Sequence, residues 1–163
     1  MSRATRAAAA VALLLLAGCA KDEEGPGRVR VQAGALDVQV QAVQGCDDGE
    51  PVRYDTTPPV IEVPQDTEIT LTVPDSVAER GWAVQFFDEN LEEAINEPLA
   101  VPDGEREVSV GSSADAVPPA FYLLVVENKG GDCGAWSRAW PIGVILPGGD
   151  LGSPSPTAPQ TED

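Results

Sequence analysis

Among side chains able to do chemistry, this sequence offers three cysteines and 27 carboxylates, but not one histidine. Without an imidazole, neither Ser-His-Asp nor Cys-His nucleophile systems nor His-ligated zinc can be assembled. Beyond residue 18 only two lysines remain, Lys21 and Lys129, which is poor material for a Ser-Lys dyad. Gly130-Gly131 opens a strand and has no following Lys-Ser or helix, so it is not a phosphate loop. A glycosidase-like pair needs two carboxyls facing each other across a cleft, and small domains without inserted loops rarely supply one. Asp47-Asp48-Gly49-Glu50 is a turn-like fragment of a calcium loop that lacks the alternating oxygen ligands. No catalytic residue, metal ligand or cofactor is therefore assigned.

The chemistry that is specified belongs to Cys19. Arg3 and Arg6 precede an uncharged apolar run from Ala7 to Gly18, the n-region and h-region of a secretory signal. That run is far shorter than the roughly 20 residues a bilayer-spanning helix needs. Leu16-Ala17-Gly18-Cys19 resembles the lipobox of bacterial lipoproteins at every position. The Cys19 thiol would accept diacylglycerol, and cleavage would leave it as the first residue. Two or three acyl chains anchor stably where one is marginal, at about 0.8 kcal/mol per buried CH2. The expected location is the extracytoplasmic face of the cell membrane, with residues 1–18 as signal peptide and 19–27 as lipidated tether.

Cys46 and Cys133 then remain, an even pair in an exported, disulfide-permissive compartment, and are expected to be bonded. Closing so long a loop stabilises by about 4–5 kcal/mol in chain-entropy terms. A reactive thiol would need an electropositive setting, whereas Asp47 and Asp48 following Cys46 would raise its pKa.

Removing the signal takes two positive residues and no acidic ones, so the net charge falls below the −17 of the whole chain. Such a surface repels phosphate backbones and excludes nucleic acid as a partner. The runs Asp22-Glu23-Glu24, Asp47-Asp48, Asp88-Glu89 and Glu92-Glu93 read first as a solvated acidic surface.

The elements that would carry these residues follow a period of two. Leu36-Asp37-Val38-Gln39-Val40-Gln41-Ala42 alternates apolar and polar residues, as a half-buried strand does. Ile69, Leu71 and Val73 repeat the pattern, Trp82, Val84 and Phe86 form a third apolar face, and Val108 with Val110 a shorter fourth. Phe121 to Val126 is apolar on both faces and reads as a central strand. A last strand after the Lys129-Gly130-Gly131-Asp132 turn runs through Trp136, Trp140, Ile142 and Val144. The only helical candidate is Ser76 to Arg80, one turn at most. Pro-containing corners at Pro58-Pro59, Pro64, Pro74, Pro102 and Pro118-Pro119 separate the strands. This predicts an all-β fold, a single antiparallel β-sandwich over 28–146, immunoglobulin-like in general plan. Residues 147–163, rich in Pro, Gly, Ser and Thr, are expected to form a disordered tail.

Trp136, Arg138 and Trp140 alternate, so on one strand they would share a face. That row reads either as a platform for a ring-bearing ligand, with Arg138 over an indole, or as core tryptophans with an arginine at the rim, and the continuing Ile142 and Val144 favour the second.

Several spaced motifs carry a family likeness. Pro58-Pro59-Val60 through Val73-Pro74, Gly81-Trp82-Ala83-Val84, Phe87-Asp88-Glu89, Pro118-Pro119-Ala120-Phe121-Tyr122-Leu123, Cys133-Gly134 and Ala139-Trp140-Pro141-Ile142-Gly143 resemble an actinobacterial small lipoprotein family of unknown function, domain-of-unknown-function family 2771. The resemblance spans about Gly45 to Gly143. It implies a cell-envelope location and no activity, and it transfers no functional residue. The expected role is a non-catalytic interaction or structural module, held to the membrane by the lipid on Cys19 and meeting an envelope protein. The alternatives are a small-ligand or cation-binding lipoprotein and, third, an enzyme acting on cell-wall material.

Overall fold

The structure is a computed structural model that describes residues 26–112, 118–127, 133 and 136–152. The expected signal peptide, Cys19, the Lys129–Asp132 turn and residues 153–163 lie outside the described residues.

Two sheets face each other. The first has the order β2-β1-β6-β9 and is antiparallel throughout: β1 (Arg28–Ala33), β2 (Leu36–Gln41), β6 (Glu68–Thr72) and β9 (Glu107–Ser112). The second is seven-stranded. Its path runs β4-β3-β11-β10-β7-β8, through β3 (Gln44–Asp47), β4 (Glu50–Arg53), β7 (Trp82–Phe87), β8 (Leu99–Val101), β10 (Ala120–Glu127) and β11 (Arg138–Ile145). Its seventh strand, β5 (Val60–Glu62), lies off that path and pairs parallel with β11, the one departure from an antiparallel plan among the described residues.

Alternation explains which residues meet. Val29, Val31 and Ala33 of β1, which sequence pattern did not single out as a strand, face Ile69 and Leu71 of β6 and turn inward. From the other sheet Trp82, Val84, Leu123, Val125, Trp140, Ile142 and Val144 fill the space between the layers. Each fully buried aliphatic side chain stabilises by about 1.5–3 kcal/mol. The two interior indoles satisfy their N–H groups on backbone: Trp82 Nε1 donates to Glu105 O at 2.7 Å, and Trp140 Nε1 to Gly27 O at 3.2 Å.

Between the sheets runs α1 (Asp75–Arg80), which buries Val77 and Ala78 and stops at Gly81, whose φ of 81° an L side chain rarely adopts. It closes the end at which the chain enters. By register that end also holds Arg28, Gln41, Thr72, Trp82, Glu127 and Arg138.

Two sequence expectations are corrected. The last strand begins at Arg138, so the alternation that would join Trp136 to Trp140 is broken at Ser137. Residues 147–152, which composition assigned to the tail, lie against the domain: Gly149 N donates to Leu146 O at 2.9 Å, and Leu151 packs over Gly143.

Candidate functional site

Three features of the described surface and interior carry polar chemistry or an unfilled apolar face. The first was missed by sequence reading. β10 points Phe121, Leu123 and Val125 inward, and the same parity carries Glu127 into the interior, where it is 1% exposed. Parity on β11 likewise turns Arg138 inward beside Trp140 and Ile142, directly opposite Glu127 in the ladder. Arg138 Nη1 stands 3.5 Å from Glu127 Oε2, and Arg80 Nε at the end of α1 contacts Oε1. Ser137 donates through N and Oγ to the Glu127 carbonyl, at 3.1 and 3.3 Å. Burial pushes the Glu127 carboxyl above the usual carboxylate range, against the pull of Arg80, Arg138 and the Ser137 hydroxyl. The signal was present in the sequence: an acid on the inward parity of an apolar strand, with an arginine on the inward parity of its neighbour.

The second feature is the disulfide. Cys46 and Cys133 are bonded with Cα atoms 5.9 Å apart, tying β3 to the loop that precedes β11. The adjoining Asp48 and Gly49 both have positive φ, 50° and 83°, so Asp47-Asp48-Gly49-Glu50 makes the two-residue hairpin turn between β3 and β4. Among the described residues no group of three or more His, Cys, Asp or Glu side chains is arranged to hold a metal ion.

The third feature is on the outer face of the seven-stranded sheet. Ala83, Leu124, Val126 and Ala139 are buried there, with Phe87 and Trp136 packed partly over them. Trp136 therefore lies on the opposite face from Trp140, and the shared-face row expected for Trp136, Arg138 and Trp140 does not form. Instead Trp136, Phe87, Leu91, Leu124, Val43 and Pro141 line a shallow groove of about 230 Å3. Leu91 is held there at φ 60°, unusual for a bulky side chain. Its N–H donates to Asp88 O at 3.1 Å, while Asp88 Oδ1 accepts from Glu92 N at 2.8 Å and Glu93 N at 3.2 Å. Those backbone donors, Glu92 first, hold the Asp88 carboxyl below its ordinary range. The acidic run around Asp88 thus serves a loop that presents Leu91 to the groove.

Two further ion pairs lie on the described surface. Arg30 Nε donates to Asp37 Oδ1 at 2.8 Å across the β1–β2 hairpin, and Arg106 Nε lies 3.0 Å from Asp75 Oδ1. No helix among the described residues is long and apolar enough to cross a membrane.

Over residues 22–134 the chain matches the family model described as protein of unknown function (DUF2771). It belongs to that family. No curated protein and no solved structure matches it.

Proposed function

We propose that this member of a family without an assigned activity is an exported, lipid-anchored envelope lipoprotein that acts as a non-catalytic interaction or structural module. The observation that carries the module reading is the filled interior. Apolar side chains occupy the space between the sheets, and the buried carboxylate of Glu127 is engaged by Arg80 and Arg138. Three shallow grooves on the described surface hold between them a single carboxylate, Glu62, so none brings together the pair that glycoside hydrolysis requires.

Anchoring rests on Arg3, Arg6, the apolar run and Leu16-Ala17-Gly18-Cys19. From Cys19 to Gly27 an extended chain reaches about 26 Å, so the domain would stand close to the membrane on the end that bears α1. The acyl chains contact lipid, and an envelope protein is the partner. The test is incubation of the purified mature lipoprotein with peptidoglycan fragments, alongside crosslinking in intact envelopes. A specific crosslinked protein without turnover supports the module. Turnover that disappears on mutating one carboxylate overturns it.

A further inference from the structure

We propose that the outer-face groove of the seven-stranded sheet is the docking site of the chain's own C-terminal segment, residues 153–163. This goes beyond the module reading and does not depend on lipid anchoring.

The chain is already directed there. After Ile145 the backbone turns through Pro147 and Gly148, and it returns on the outer face. A Cβ on Gly143 would stand 2.8 Å from Leu151 Cδ1 and 3.3 Å from Tyr122 Cε1, which places Leu151 over the outward side of the Gly143–Tyr122 rung. The next outward rung, Pro141–Leu124, is a wall of the groove. Two residues of antiparallel strand separate the rungs, about 7 Å.

Length and chemistry agree with that direction. Going from Gly143 to Trp136 along β11 and its approach covers about 23 Å, and residues 153–159 in a polyproline II helix, at 3.1 Å per residue, cover about 22 Å. The chain is 23% charged, yet residues 153–161 carry no charged side chain, and neither does the groove lining. Pro154, Pro156 and Pro159 suit polyproline II, the conformation that aromatic-lined grooves accept at low entropic cost. Trp136 and Phe87 supply the aromatic lining. Uncharged surfaces thus meet along the groove.

A spin label at residue 160 (Gln160→Cys), in full-length chain carrying Cys19→Ser and the intact Cys46–Cys133 bond, reads the contact by NMR. Docking in cis broadens the Leu91 and Leu124 methyls and the Trp136 indole, spares Leu36 and Val38 of the other sheet, and does not vary with protein concentration. Replacing Pro154, Pro156 and Pro159 together by Ser abolishes the broadening. Broadening that appears only between labelled and unlabelled copies assigns the groove to a second molecule and overturns the proposal. An unbroadened groove also overturns it, and leaves the face to an exogenous partner.

Discussion

The carboxylate of Glu127 and the guanidinium of Arg138 face each other across the β10–β11 ladder, 3.5 Å apart, at the last inward rung of the sandwich. Glu127 has a second cationic partner in Arg80, but the Arg80 side chain is 42% exposed whereas that of Arg138 is 18% exposed. Removing one partner of a buried pair leaves a charge that the interior cannot solvate. Arg138→Ala is expected to lower stability by about 2–3 kcal/mol, below the range for fully buried pairs because Arg80 and solvent still reach the site. Urea unfolding checks it, and a change within about 0.5 kcal/mol, as for an ordinary surface position, would show the pair to be idle.

The same carboxyl has a pH signature. Its folded pKa lies above the unfolded value of about 4.3. Between those two values the native state binds more protons than the unfolded chain, so this group's contribution to stability grows as pH falls from neutral through the folded pKa and is lost as pH rises. Asp37 and Asp88 act in the opposite sense, because their folded pKa values are lowered by Arg30 and by the Glu92 and Glu93 amides; their contributions disappear on acidification. Comparing wild type with Glu127→Gln isolates the single group. Stability of wild type relative to the variant should increase toward acid, and a flat difference from neutral to pH about 4 would contradict the burial argument.

Cys46 and Cys133 are separated by 87 positions. Replacing both with Ala is expected to destabilise by about 3–5 kcal/mol, a large part of the roughly 5–15 kcal/mol that holds a domain together. With Cys19 acylated as proposed, thiol labelling of the denatured, unreduced protein should find no reactive cysteine.

Cys19→Ala is expected to give a product that stays unprocessed or leaves the membrane fraction. Mass spectrometry of the native protein should show acyl mass on a mature N-terminus at Cys19. A free amino terminus without acyl mass would remove the anchor from the proposed function.

Leu71 is fully buried between the sheets, and Val60 is 53% exposed. Leu71→Ala is expected to cost about 2–5 kcal/mol, as large-to-small changes in a filled core do, while Val60→Ala should stay near 0.5 kcal/mol. Equal effects would mean that the inter-sheet space is less tightly packed than its residues indicate.

Much of the fold was legible because period-two burial is a local property. Leu36 to Val40, Ile69 to Val73 and Phe121 to Val126 each announce a strand and its inward face without reference to anything distant. β1 carries the same signal, Val29, Val31 and Ala33 alternating with Arg28, Arg30 and Gln32, but sequence reading began its strands only at Leu36. Local parity also has a limit at strand ends. It failed at Trp136, where the strand had not yet begun, and it was not carried one residue beyond Val126, where it would have reached Glu127.

By itself the sequence determined the strand alternation, the pairing of Cys46 with Cys133 once Cys19 is set apart, and the impossibility of histidine chemistry; these follow from composition and from the geometry of one strand. Tertiary structure alone decided that Arg80 and Arg138 converge on Glu127, that Trp136 and Trp140 look out from opposite faces of one sheet, and that Leu151 returns over Gly143. The reason is physical. Each of these relationships depends on register between segments far apart in the chain, and register is set only when whole sheets pair and bury their faces together.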